Sequence, residues 1–384
     1  MDHRPALRIA RGSHLHLQTT GPGLGIGGHH PFLPGRAGLS FPGTAPRASR
    51  SVRAPLIALR STVALSVLCG TFAALSPDPL RSAGNRIVQP TGTLTATTFA
   101  SKLRSVAVLF KLRLASLVVF SAALGYLFAI PAGTFSWLGL LGLCTAGTLL
   151  TGASNAFNQV LEVREDALMD RTADRPLVRG MLTMREAIVA AFIAAGLATL
   201  MLWLQFGALT GTLGFLSLFM YVALYTPMKK LSSWAVFVGA FPGAFPPMLG
   251  YVAATGRFDL GAGLLFAMQF MWQFPHFWAI AWVLDRDYAK AGFRLLPGGR
   301  LPDRAAAATI LLYTLFLIPV GMLPWVFGFV GPIALALSVV GALVMVLPAV
   351  RLFLSQDSRD ARKLMFASFI YLPLVQVAYV LDTL

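Results

Sequence analysis

Asn158-Gln-Val-Leu-Glu162-Val-Arg-Glu-Asp166-Ala-Leu-Met169-Asp-Arg171-Thr172 closes an apolar run that begins near Trp137. Asn158, Glu162 and Asp166 recur every four residues, so on a helix they line one face over about two turns. Thr151 and Asn155 extend the stripe backward into the apolar segment. Charges also collect at helix ends for ordinary reasons of solvation, but this stripe starts two turns before its first charge. Carboxylates at such a depth in an apolar helix are costly and are seldom idle. Three oxygen-bearing side chains on one face can hold Mg²⁺, and Mg²⁺ commonly accompanies phosphates.

The surrounding sequence is that of a membrane protein. Hydrophobic residues make up 56% and charged residues 12% of the chain, and the mean hydropathy is +0.71. Apolar runs fall at about 115–131, 135–157, 186–206, 208–224, 234–254, 260–284, 305–326, 328–350 and 364–381. Most approach the ~20 residues that cross a hydrocarbon core of ~30 Å as helix. The expected fold is therefore all-α, a polytopic membrane helix bundle of about nine transmembrane helices. The net charge of +16 could point to nucleic acid, but its placement does not. Of the 21 Lys and Arg after residue 100, 20 fall before the first run or in alternate connections, and the other connections hold only Arg257. That asymmetry puts the N-terminal side in the cytoplasm and the C-terminus, Leu384, outside. No nucleic-acid partner is expected; the lipid bilayer is.

Residues 1–100 read differently from 101–384. They hold ten Arg, no Lys and only Asp2 and Asp78 as acids, and the first fifty contain nine Gly and six Pro. Such a composition does not make a stable helix. Three readings compete: a disordered or non-native extension, an organellar presequence, and a tenth helix over the apolar stretch 61–76. Composition favours the first. The expected division is an extension over 1–100 and a membrane domain over 101–384, in a bacterial inner membrane, or a mitochondrial inner membrane if the extension is a presequence. Cys69 and Cys144 are the only cysteines, which supports neither a disulfide framework nor a zinc site.

Further constellations lie on the same cytoplasmic side. Arg171 and Arg175 follow the acidic stripe closely enough to serve a diphosphate as bidentate donors, although positive-inside charge accounts well for Arg179 and Arg185. Lys229 and Lys230 close Tyr225-Thr-Pro-Met-Lys-Lys, a pair explained equally by topology or by phosphate contact. Gly239-Ala-Phe-Pro242-Gly-Ala-Phe-Pro246-Pro247-Met-Leu-Gly250 carries the residues of close helix packing. Trp272-Gln273-Phe-Pro275-His276-Phe277-Trp278 runs on to Asp285-Arg286-Asp287-Tyr288. On a regular helix His276 and Asp287 are close to three turns apart, about 16 Å along one face, and Gln269 and Gln273 share it. His276 is the one histidine beyond residue 30.

The stretch 158–177, Pro246-Pro247 with Gly250, and Trp272-Gln273-x-Pro275-His276-Phe277 followed by Asp287-Tyr288 and Leu296-Pro297 together resemble the protohaem IX farnesyltransferases, a branch of the intramembrane prenyltransferases. The resemblance covers about 101–384. Lys111-Leu112-Arg113 is similar to that branch's Lys-Pro-Arg lead into the first helix, with Leu112 in place of the proline. The resemblance implies an enzyme that transfers a farnesyl group from farnesyl diphosphate to a vinyl group of haem B, with addition of water, giving haem O for the haem A and terminal-oxidase pathway. It implies Mg²⁺ held by Asn158, Glu162, Asp166 and Asp287, and diphosphate held by Arg171, Arg175, Lys229, Lys230, Lys111 and Arg113. The acceptor half would fall to His276, Gln273 and Trp272, with His276 on the haem iron or a propionate. Haem B is then substrate rather than cofactor, and a haem A synthase is the implied partner. Two rivals remain: a membrane prenyltransferase for a quinone or chlorophyll precursor, which shares the Mg²⁺–diphosphate half, and an ion-coupled transporter, whose acids would lie near the bilayer midplane.

Overall fold

The computed structural model describes residues 99–130 and 133–383. The extension expected over 1–100 therefore lies, except for its last two residues, outside the described residues, as does Leu384. Within them every regular element is helical. A short helix α1 (Phe99–Leu109) precedes α2 (Leu112–Ala129), α3 (Trp137–Leu161) and the short α4 (Val163–Leu168). Next come α5 (Met184–Phe219), a π-helical turn Met220–Tyr225 and a closing turn Thr226–Met228. Then follow α6 (Ala235–Thr255), α7 (Leu260–Val283), the short α8 (Asp285–Lys290), α9 (Arg304–Val326), α10 (Pro332–Ser355) and α11 (Ser358–Asp382).

Seven helical stretches are long and apolar enough to cross a membrane, and Met184–Met228 is one of them. At ~1.5 Å per residue those 45 residues would extend ~67 Å as one rod, twice a bilayer core. Gly207 breaks it, with φ 88° and ψ 170°. Only glycine takes that conformation without strain. Beyond it the chain doubles back, so that Gly211 lies against Trp203 and Gly214 against Leu202. The stretch is thus two crossings. With α7, whose Gln269, Gln273 and His276 dilute its hydropathy, the described residues supply the nine crossings expected from the apolar runs.

Neighbours in sequence pack in pairs, α3 on α5, α6 on α7 and α10 on both α9 and α11, while α2 lies along α6 and touches α11. Small residues set the closest approach. Gly125 faces the Pro247 carbonyl and Gly250 faces the Ala122 carbonyl, so a side chain at either position would drive α2 off α6.

α6 stays helical through Pro242, Pro246 and Pro247. Lacking N–H groups, Pro246 and Pro247 cannot bond the carbonyls four residues back, those of Pro242 and Gly243. Both are served by neighbours: Ser217 Oγ donates to the Pro242 oxygen (3.4 Å) and Gln269 Nε2 to the Gly243 oxygen (2.7 Å). Gln273 Nε2 donates to the Ala240 oxygen (2.9 Å). Gln269 Oε1 in turn accepts from Ser121 Oγ and from Gln376 Nε2, both at 2.7 Å. One buried amide thus ties α2, α6, α7 and α11, where an unpaired polar group would be expensive.

Candidate functional site

At the cytoplasmic end of the bundle, by the charge asymmetry, a cavity of about 120 Å³ is bounded by Asn158, Glu162, Asp166, Lys111, Arg171, Arg175, Lys229 and a wall of Tyr221, Tyr225, Tyr288, Met169, Phe293 and Leu295. The acidic stripe reaches it through a joint. α3 ends at Leu161, Glu162 sits between helices at φ −113° and ψ 16°, and α4 carries Asp166. Asn158, Glu162 and Asp166 are all but inaccessible, at 3%, 3% and 1% exposure.

Each acid has a cation. Lys229 Nζ lies 2.7 Å from Glu162 Oε2 and 2.5 Å from Oε1, and Arg175 binds Asp166 Oδ2. Asp166 Oδ1 is buried and takes no hydrogen bond. Asn158 Nδ2 donates to Thr226 Oγ1 (3.4 Å), which commits the amide nitrogen and leaves the oxygen as an acceptor. Thr226 Oγ1 donates onward to the Tyr221 carbonyl (2.8 Å), a group five residues back in the π register. Arg175 is carried round to Asp166 by a run of turns after α4, pinned where Thr172 Oγ1 donates to the Asp166 carbonyl (2.8 Å).

Four cations against two carboxylates leave the wall an anion site. Lys111 stands at φ 50° and ψ 54°, a left-handed position that few side-chain-bearing residues adopt, and its carbonyl opens α2. Burial first, and then the nearby charges of Arg175, Lys229 and Arg171, pull its ammonium down to about 7. Burial also lowers Lys229, opposed by Glu162. The cations lie on aromatic faces: Lys229 over Tyr225 (4.9 Å) and Arg171 over Tyr288 (5.8 Å).

Other expected site residues are placed elsewhere. Asp287 lies beyond the end of α7, which stops at Val283, with Leu284 turning the chain at φ −102° and ψ 11°. Its carboxylate accepts from the backbone N–H of Asp170 (2.9 Å) and Arg171 (3.5 Å) and meets Lys290 (3.3 Å). Partial burial pushes its carboxyl up, but these bonds together outweigh it, that to the Asp170 N–H foremost among them, and hold it below the usual range. Lys230 pairs with Glu165 (2.7 Å), and Arg113 is exposed. Gln273 serves the α6 backbone, and Trp272 Nε1 donates to the Ser368 carbonyl (2.9 Å). His276 is buried, with Nδ1 2.8 Å from Ser368 Oγ. The wall residues Tyr221, Tyr225 and Tyr288 are not among the candidate site residues of the sequence. Tyr225 carried a signal, four residues before Lys229 and hence on its helix face, whereas the π turn that brings Tyr221 in left none.

Among the described residues no three His, Cys, Asp or Glu side chains form a metal cage. The donor set is two carboxylates and an amide, and the unbonded Asp166 Oδ1 is the opening a hard cation fits.

A polytopic helical bundle with a basic, acid-edged cavity at one membrane face is the framework of an intramembrane enzyme for phosphorylated lipids. The profile of the UbiA prenyltransferase family matches residues 118–372, and the chain belongs to that family. It is 44% identical over 285 residues to the protoheme IX farnesyltransferase of Cytophaga hutchinsonii, covering 74% of this chain and 99% of the relative. The mitochondrial protoheme IX farnesyltransferase of Homo sapiens is 37% identical over 275 residues, covering 70% of this chain and 59% of that one. Among solved structures, a digeranylgeranylglyceryl phosphate synthase superposes with a TM-score of 0.63 at 15% identity, covering 73% of this chain and 98% of its own. A UbiA homolog from Archaeoglobus fulgidus bound to GPP and Mg²⁺ superposes at 0.51 and 14% identity, covering 74% and 99%. These two show the shared fold.

Proposed function

We propose that this multi-pass membrane protein transfers the farnesyl group of farnesyl diphosphate to a vinyl group of haem B, with addition of water, giving haem O and diphosphate. The observation that carries the diphosphate half is the cavity in which Lys111, Arg171, Arg175 and Lys229 face Asn158, Glu162 and Asp166. Asn158, Glu162 and Asp166 are the residues that would hold Mg²⁺, which when bound neutralises diphosphate charge and polarises its oxygens. Asp287 would join them only by releasing the Asp170 and Arg171 amides. The four cations bind the diphosphate and stabilise it as leaving group when the allylic C–O bond ionises. Tyr221, Tyr225 and Tyr288 turn electron-rich faces to the allylic cation and keep water from it until the acceptor attacks. The vinyl carbon then bonds to farnesyl, and water adds to the cation left beside the haem ring, losing a proton.

The acceptor is assigned from the relatives of 44% and 37% identity, both named protoheme IX farnesyltransferase, which speaks against a quinone or chlorophyll precursor. Acids paired with cations at one end of the bundle speak against an ion-coupled transporter. We place His276 on the acceptor side, the enzyme in a bacterial inner membrane, and a haem A synthase downstream of it. The test is purified protein in detergent with farnesyl diphosphate, haem B and Mg²⁺, followed by chromatography and mass measurement of extracted haem. Haem O is expected only when all three are present. Prenylation of a quinone precursor with haem left unchanged would overturn the assignment.

A further inference from the structure

Ser368, on α11, meets His276 of α7, and the direction of its own hydrogen bond fixes what the imidazole offers. Ser368 Oγ donates to the Met365 carbonyl oxygen (2.6 Å). A carbonyl has no proton to give, so the single hydroxyl hydrogen of Ser368 is committed there. The 2.8 Å contact between Ser368 Oγ and His276 Nδ1 then has one polarity: Nδ1 carries the proton and donates. The ring is stacked on Trp272 (4.4 Å between centroids, 16°) and edged by Phe277 and Phe369, and among the described residues no carboxylate pairs with it to balance an imidazolium. A neutral imidazole with its proton on Nδ1 has a bare lone pair on Nε2. Trp272 fixes the arrangement from the other side, its indole N–H donating to the Ser368 carbonyl (2.9 Å).

We propose that Ser368 is a positioning residue that holds His276 as its Nδ1–H tautomer, so that Nε2 presents a lone pair to the iron of the haem acceptor and cannot donate a proton to a propionate. This rests on the haem reading given above. It resolves which end of the acceptor His276 addresses. The arrangement is that of a metal-binding histidine oriented through its other nitrogen by a hydrogen-bonded neighbour.

The test uses the full chain in detergent. Selective ¹⁵N-histidine spectra report the tautomer, and comparison with His276→Ala assigns the signal, because the other five histidines lie within residues 1–30. Haem B titrations followed in the Soret region, with electron paramagnetic resonance of the ferric complex, report ligation. A non-hydrolysable farnesyl diphosphate analogue reports the other half-site. In the wild type, protonated Nδ1, unprotonated Nε2 and an imidazole-ligated haem are expected. His276→Ala should lose the ligation signature. Ser368→Ala should mix the tautomers and weaken haem binding by about tenfold, Ser368→Thr should restore both, and affinity for the analogue should hold throughout. A proton on Nε2 in the wild type overturns the proposal even if Ser368→Ala fails to accumulate. So does a Ser368→Ala protein with wild-type tautomer and haem spectrum, or one that loses both ligands equally. If ligation is unchanged in His276→Ala while the wild type makes haem O, the iron role falls and the farnesyl-transfer reading stands. If the wild type makes no haem O, that reading itself fails.

Discussion

Asp166 concentrates the electrostatics of the cavity in one side chain: almost fully buried, one oxygen bound by Arg175 and the other without a hydrogen bond. Asp166→Asn preserves shape and removes the charge that both Arg175 and a divalent cation need. Turnover should fall by about a hundredfold or more, while the protein still accumulates in the membrane; normal haem O output at limiting Mg²⁺ would contradict the assignment. Lys111 gives a pH signature. Its folded value of about 7 lies below the ordinary lysine value of 10.5, so the unfolded chain holds more protons between those limits. Stability without ligand should therefore rise as pH increases from about 7 toward 10.5. Diphosphate favours the ammonium, so affinity for inorganic diphosphate should fall as pH rises through 7. Lys111→Met should flatten both trends, measured by thermal unfolding and by calorimetry.

Within the elements, proline and glutamine explain each other. Pro247 strips Gly243 of its helical partner, and Gln269 replaces it from α7. Gln269→Leu should therefore cost about 1–2 kcal/mol of stability in detergent. Adding Pro247→Ala returns an N–H to α6 and should recover part of that loss, whereas Pro247→Ala alone should not stabilise. Additive effects would show that the two residues do not serve one bond. This pairing is also where the sequence misleads. Gln269 and Gln273 have the spacing of a functional polar stripe on α7, yet the groups they satisfy belong to α6, and only the helix pairing reveals them. The stripe from Asn158 to Asp166 was legible because its partners lie on its own turn and the next, and it tolerates the break at Glu162. The setting of Asp287 was not, because beyond the similar turn at Leu284 its carboxylate is taken up by the Asp170 and Arg171 amides, partners that spacing along one helix cannot reveal.

At the scale of the whole molecule, hydropathy alone reveals the crossings among the described residues, including the division between 206 and 208, since a span has a length that lipid enforces. What hydropathy does not encode is the cavity's aromatic wall, built by tyrosines from α5's π turn and from α8. The charge asymmetry predicts that reporters fused after Arg175 report the cytoplasm and those at the C-terminus the opposite side; agreement between the two would remove the odd number of crossings. A chain beginning at residue 96 should insert and remain active, because the family match spans 118–372 and lies wholly within it. Failure of that truncated protein to insert in a bacterial host would give the segment a targeting or structural role.

The reversal at Gly207 also constrains how the protein is made. The two limbs of α5 are joined by one residue, so no outer loop exists there to be threaded across and held while the return limb is synthesised. The two limbs are therefore expected to enter the bilayer together as a helical hairpin. Replacing Gly207 with a β-branched residue should therefore act during biogenesis, leaving fewer molecules inserted while those that do insert keep an intact acidic and basic cavity at the opposite membrane face.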